Sequence, residues 1–357
     1  MRVTGETSFL LSRPSTTVRG TGVAARYRSV AAAREGLGAG APVVAGLLAF
    51  DTAAPAALLA PQHWSLTDQT VPGRDPAPTE PLTCTVTPSG THRERVARAL
   101  RLIADGDLEK VVLARTMELT FGEPVDADRL AARFAYGAGT AAVFAAPAPD
   151  DRWLIGASPE LLVRRSGRIV TCHPFAGSAP RHRDPVADRA ASQGLLDSAK
   201  DLTEHAFVVD DLRAGLTPLC TELDVPGRPA LTSTGEMWHL ATPIRGVLAD
   251  ESITALDLAT LLSPTPAVCG TPRNAAAAAI TAIEGPREFY GGAVGWCDAR
   301  GDGEWLVAIR CLELQADRRS VRTWAGGGIV AGSDPDAEVA ETDAKFRTVL
   351  RALGIGD

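Results

Sequence analysis

The chain has 357 residues, 45% of them hydrophobic and 22% charged, with a net charge of −7. That length makes one large domain or about two of ordinary size, and the acidic balance argues against nucleic acid and anionic membranes as partners. No apolar run reaches the roughly 18 residues of a membrane span, and the apolar core near the N-terminus is too short for a signal peptide, so a cytoplasmic protein is expected.

In chain order, the first 60 residues or so alternate strand-like pieces (FLLS around Phe9, PVVAGLLAFD at 42–51) with Ala/Gly-rich segments. Residues 66–92, rich in Pro and Thr, read as a loop or linker. It separates an N-terminal part, about 1–90, from a motif-dense remainder, 91–351. THRERVARALRLIADGD, from Thr91, predicts an amphipathic helix closed by glycine. KVVLARTMEL, 110–119, is a β-branched strand, and TAAVFAAP and DRWLIGASPELLVRR continue in strands. A long helical region covers 184–216, and TALDLATLL and NAAAAAITAIEG are further helices. AVGWCDARGDGEWLVAIRCLEL, 293–314, predicts a hairpin turning at 300–303. Strands cluster and helices cluster, which favours an α+β fold with large antiparallel sheets. The six cysteines (Cys84, Cys172, Cys220, Cys269, Cys297, Cys311) form no CxxC pair and read as small buried hydrophobes.

Several residues could carry chemistry. Lys110, at the start of an apolar strand, is either a solvated strand end or a desolvated general base. The second role needs a pKa well below the free value of about 10.4. Glu160, after a Gly-Ala-Ser turn, is an exposed strand-end acid or a general acid at the rim of a site. In PFAGSAPR, Gly177 and Ser178 fall in a turn after a strand and could offer N–H groups to a carboxylate. Arg310 ends the strand VAIRC; buried there, it would need an anion, and a carboxylate would suit it bidentately. His239, in MWHLAT, reads as a core-edge histidine.

WAGGGIVAGSDPDAEVAETDAKF, 324–346, places three glycines before a helix capped by Ser333 or Asp334, with Pro335 in its first turn. Glu338, Glu341 and Lys345 share one face of that helix. Alone, this is an ordinary capped surface helix with a Glu–Lys pair. KDLTEH, 200–205, repeats the spacing with Asp201 and Glu204. Two such acid pairs suggest a Mg²⁺ shared between two helices, because Mg²⁺ takes few carboxylates and keeps waters.

Taken together, LEKVVLAR, GASPELLVRR, PFAGSAPR, KDLTEH, WHLATPIRG, LSPTPAVCGTPR, REFYGGAVGW, WLVAIRC and the glycine–acid stretch resemble, in order, the conserved blocks of the chorismate-utilising enzymes. GGAVGWCDARGDGEWLVAIRC and SPTPAVCG are most similar to isochorismate synthases of siderophore pathways. The resemblance spans roughly 91–351 and implies one catalytic domain over 1–357, with two large antiparallel sheets packed face to face and helices outside. It implies Mg²⁺ held directly by Glu204 and Glu341, with Asp201 and Glu338 holding metal-bound water. It also implies chorismate bound by Arg310 and Tyr290, with Gly177 and Ser178 lining the ring site and His239 beside it. Gly326 and Gly328 would let the substrate approach the backbone, and Lys345 would orient Glu341 or the substrate. Ser178 stands where many relatives carry threonine. Lys110 would be the base and Glu160 the acid. The lysine fits water rather than ammonia as nucleophile, so no glutaminase subunit is expected, and a monomer is. Two alternatives stay open: a salicylate synthase, which would go on to eliminate pyruvate, and a catalytically silent chorismate-binding protein. Ala267-Val268 resembles the isochorismate type.

Overall fold

The computed structural model describes residues 6–75, 81–235 and 237–355. Two antiparallel sheets, of ten and nine strands, dominate it, and a third has three. Between the large sheets lies a buried apolar layer. Phe9, Leu11 and Phe144 of the ten-stranded sheet meet Ala45, Leu47, Val294 and Leu306 of the nine-stranded one. Helices cover the outer faces. Ala199–Leu216 and Ala255–Leu262 pack on the nine-stranded sheet through Val208, Leu212 and Leu256. Ala127–Ala135 and Pro335–Leu353 cover the ten-stranded sheet through Leu130, Phe134, Phe346 and Val349. Ser89–Ala104 and Arg273–Glu284 pack through Val96, Ala99, Ala276 and Ile280 against the Lys110–Thr120 strand. The expected pair of sheets with helices outside is therefore present.

Four local expectations need correction. The Pro/Thr-rich segment 66–92 is not all loop. Strand His63–Thr67 runs into it, and Thr83–Val86 pairs with the far end of Lys110–Thr120; residues 76–80 lie outside the described residues. The helical region 184–216 is two helices, Pro185–Asp197 and Ala199–Leu216. Ser198 breaks them with an extended backbone (ψ 108°) and caps the second through Asp201 N–H, 3.2 Å from its Oγ. Gly177 and Ser178 lie in strand Phe175–Pro180 of the three-stranded sheet, not in a turn; the register shifts between Ala176 and Ser178, where Gly177 takes φ 77°. Among the cysteines, Cys172, Cys269, Cys297 and Cys311 are buried, but Cys84 is exposed and Cys220 half-buried.

The N-terminal part is woven into both large sheets. Thr7–Arg13 pairs with Ala142–Pro147 in the ten-stranded sheet, and Val43–Leu48 pairs with Ala293–Asp298 in the nine-stranded one.

Candidate active site

Strand Lys110–Thr120 is the axis of the site. It is β-branched and apolar at its start and pairs along its whole length with Ser320–Val330, setting Val330 opposite Lys110 and Gly328 opposite Val112. Lys110 is fully buried, and its Nζ lies 3.2 Å from Glu204 Oε1 of the Ala199–Leu216 helix. The run Gly326-Gly327-Gly328 makes this close packing possible. A Cβ on Gly328 would lie 1.9 Å from Glu204 Oε1 and 3.1 Å from Lys110 Cε. A Cβ on Gly327 would lie 2.7 Å from Glu338 Oε2, and one on Gly326 3.2 Å from Tyr290 Oη. The protein's own acids and tyrosine thus press onto the strand where side chains are missing.

Over this strand opens a narrow cavity, with room of about 70 Å³ for the centres of water-sized groups and a mouth continuous with solvent. Every residue expected at the site lines it except Lys110, Asp201 and Glu338. Lys110 sits just behind Gly328, and Asp201 packs under Gly177, where a Cβ would meet its own Cβ at 3.0 Å. Glu338 is fully buried behind Gly327.

Glu160 and Arg310 arise where the chain leaves one large sheet for the other. Glu160 lies between strands Trp153–Ser158 and Leu161–Ser166, and Arg310 between Gly303–Val307 and Cys311–Leu314. The two crossings are tied together, Ala157 N–H donating to Arg310 O at 3.1 Å and Val307 N–H to Glu160 O at 3.1 Å. Arg310 is therefore not a strand end, and its backbone takes φ 51°. Its guanidinium is buried, and burial lowers its pKa. It donates to Thr348 Oγ1 at 3.3 Å and makes no ion pair among the described residues, an arrangement that suits a bound anion. Glu160 is 2% exposed, and burial pushes its carboxyl up to about 8 against the opposing pull of Phe175 N–H, Lys110, Lys345 and Arg310.

The opposite wall is aromatic and hydroxylic. Ser178 Oγ lies 2.9 Å from His239 Nδ1. His239 stacks on Phe175 and is held well below 6.5 by burial, then by Arg310 and Lys345, so the ring is neutral. Tyr290 stacks on Trp324, with ring centroids 5.2 Å apart. Phe175 and Trp324 both line the cavity and were not singled out from the sequence; an aromatic two residues before the glycine run was the available signal for Trp324.

The acid pairs lie on two facing helices. Each glutamate meets a lysine: Glu204 with Lys110, Glu338 with Lys200 at 2.8 Å, and Glu341 with Lys345 at 2.5 Å. Lys345 Nζ also donates to Gly326 O at 2.7 Å. Among the described residues, no three ligating side chains converge into a ready-made metal cluster. The donors nonetheless suit a hard cation. They are carboxylate oxygens, and Glu338 Oε2 is buried with no hydrogen-bond partner.

Comparison with known proteins gives this arrangement its relatives. Residues 51–354 match the model of the chorismate binding enzymes. A Mycobacterium tuberculosis protein provisionally named isochorismate synthase MenF is 47% identical over 98% of this chain and 97% of its own. Isochorismate synthase DhbC of Bacillus subtilis is 51% identical over 74% of this chain and 68% of its own. A crystal structure from Bacillus anthracis, provisionally named 2,3-dihydroxybenzoate-specific isochorismate synthase DhbC, superposes with a TM-score of 0.90 at 38% identity, over 98% of this chain and 97% of that one. With the match running from Asp51 to Gly354, through every wall of the cavity, the chain belongs to the chorismate binding enzyme family.

Proposed function

We infer that the protein is an isochorismate synthase. It moves the hydroxyl of chorismate by allylic displacement: water adds at C2, the ring double bonds shift, and the C4 hydroxyl leaves. The observation that carries this reading is a buried acid and a buried base at one site: Glu160, pushed up to about 8 by burial, lines the anion-receiving cavity, and Lys110 lies just behind Gly328 in its wall. The reaction needs a proton taken from water and a proton given to the leaving oxygen. Lys110 takes the first and Glu160 gives the second. Arg310 receives the enolpyruvyl carboxylate with Tyr290 beside it. Ser178, oriented by His239, faces the ring, as Gly177, Gly326 and Gly328 do.

Glu204 and Glu341 would hold Mg²⁺ directly, and Asp201 and Glu338 would hold its waters. The ion would neutralise the ring carboxylate in a site where carboxylates alone would repel it. Lys345 holds Glu341 in place from the strand side.

The reaction stops at isochorismate. Ala267 and Val268 line the cavity with small apolar side chains, so that wall supplies no hydroxyl to support elimination of pyruvate. Incubating enzyme, chorismate and Mg²⁺ and resolving the products by chromatography tests this. The expected result is a chorismate–isochorismate mixture. Stoichiometric pyruvate and salicylate would make the protein a salicylate synthase, and no turnover would make it a silent binder.

For the pathway we propose siderophore-type 2,3-dihydroxybenzoate or salicylate synthesis, supported by the likeness to the DhbC proteins; a MenF role is what the M. tuberculosis likeness would favour instead. We also propose a single catalytic unit over the whole chain, supported by the N-terminal strands in both sheets. It would be a cytoplasmic monomer with no glutaminase partner and no nucleic-acid or membrane partner. Its unpaired cysteines fit a reducing compartment, and among the described residues no helix is long and apolar enough to cross a membrane.

A further inference from the structure

On one edge of the Lys110–Thr120 strand, the gap between two short strands is closed by side chains, those of Arg287 and Glu284 with Arg95 donating to Ala114 O at 3.4 Å. Gly270–Thr271 pairs with its first residues, Gly270 opposite Val111 and Thr271 opposite Lys110, and Cys269 O accepts Val112 N–H at 2.8 Å. The ladder then stops. Val112 O instead accepts from Arg287 Nη2 at 2.8 Å, and Ala114 N–H donates to Glu284 Oε1 at 2.5 Å. Further on, Thr87 and then Thr83–Val86 take over the edge. Arg287 and Glu284 thus fill a gap in the sheet two residues beyond Lys110.

Arg287 does more than close that gap. Its Nη1 donates to Val268 O at 2.7 Å, and its Nε and Nη2 donate to Glu284 at 3.0 and 2.9 Å. The same guanidinium stacks over Phe50 at 4.9 Å and lies 5.7 Å from the centre of the Tyr290 ring. It is 4% exposed and does not line the cavity. Val112, Val268 and Tyr290, which it holds, all do. One planar fork therefore fixes three walls against each other: the lysine strand, the apolar 267–268 wall and the tyrosine.

We propose that Arg287 is a positioning residue for the reaction. Through Val112, Val268 and Tyr290 it sets where the ring lies between Lys110 and Glu160. The proposal rests on the isochorismate synthase reading for its chemistry. A misplacement of about 1 Å at a reacting centre can cost on the order of 100-fold in rate. A lysine at this position keeps the charge beside Glu284 but cannot reach both carbonyls.

The test compares wild type, Arg287→Lys and the double variant Arg287→Met/Glu284→Gln, which removes the buried pair and leaves an acceptor for Ala114 N–H. Kinetics are measured well below each melting temperature, beside hydrogen exchange of the Val112–Ala114 and 265–269 amides. The expected result is a kcat lowered about 10- to 100-fold, KM for chorismate within a few-fold, and faster exchange in both segments. Wild-type kcat in either folded variant overturns the proposal, as does a loss confined to KM or to the melting temperature. Absence of isochorismate from wild type sinks the functional reading instead. Exchange then decides the positioning role, and unchanged exchange at both segments rejects it.

Discussion

Replacing Glu160 with glutamine removes a transferable proton and keeps the shape. A general acid typically contributes about 10²- to 10⁴-fold, so Glu160→Gln should lower kcat by that factor and leave chorismate binding nearly intact. The pH profile carries a sharper expectation. The carboxyl is pushed by burial from 4.5 to about 8. The proton donor is therefore about 90% present at pH 7 and about 10% present at pH 9. The kcat/KM profile should bend down near pH 8 and fall about tenfold per pH unit above it. Stability moves with the same proton. A carboxyl whose folded pKa is raised contributes stability fully present below about 4.5, and that contribution is lost as pH rises through about 8. At 1.36 kcal/mol per pH unit the loss is roughly 3 kcal/mol by pH 7 and approaches about 5 kcal/mol by pH 9. Glutamine carries no proton to lose, so the variant should melt above wild type at pH 9, with the gap shrinking towards pH 5. Calorimetric melts at several pH values, beside steady-state kinetics, measure both effects. A variant that keeps wild-type turnover, or whose melting difference is the same at pH 5 and pH 9, refutes the assignment of Glu160 as a buried neutral acid.

Two further outcomes follow from the same geometry. Lys110→Ala should fold and bind chorismate while losing about 10²- to 10⁴-fold in kcat; steady-state kinetics and circular dichroism measure this, and turnover within tenfold of wild type would remove Lys110 from the role of base. Glu341→Gln should lose activity by orders of magnitude with a nearly unchanged melt, and excess EDTA should silence the wild type; full activity in EDTA would exclude a required Mg²⁺.

Local chemistry was legible where a residue's own neighbours in the chain determine it. The Lys110 strand begins where its β-branched run begins, and Asp334 caps the last helix with Pro335 after it, because caps and propensities act over a few residues. What the chain could not show is which distant segments meet. Ser198 looks like one more helical serine until its hydroxyl is seen taking Asp201 N–H. Arg310 looks like the end of VAIRC, yet it sits in the link that carries the chain from the nine-stranded sheet to the ten-stranded one. Thr83–Val86 is polar and flanked by prolines, and forms a strand only because the end of Lys110–Thr120 offers it an edge. Glu284 and Arg287, three apart at a helix end, read as an ordinary surface pair; only the fold reveals that they stand in for a missing strand. The glycine run was legible as close approach, but the groups approaching it include the protein's own Glu204, Glu338 and Tyr290 as well as the substrate cavity.

The charges at the cavity divide into two kinds, and the division matches their proposed work. Lys110, Lys200 and Lys345 each meet one glutamate within 3.2 Å. Pairing lowers the cost of burying charge in a poorly hydrated space, and it sets Lys110, the proposed base, beside Glu204. Arg310 and Glu160 have no ion-pair partner among the described residues, although both are buried. Burial without a partner moves each towards neutrality: the arginine's pKa falls, and the glutamate's rises to about 8. For Glu160 this is useful directly, because a neutral carboxyl is a proton donor. For Arg310 it is a cost that a substrate carboxylate would relieve, since a charge-assisted fork to an anion is among the stronger polar contacts available. Lys200 and Lys345, paired with Glu338 and Glu341, can then be understood as the frame. The two unpaired residues, placed at adjacent sheet crossings by the bonds from Ala157 N–H to Arg310 O and from Val307 N–H to Glu160 O, are the proposed anion receptor and proton donor.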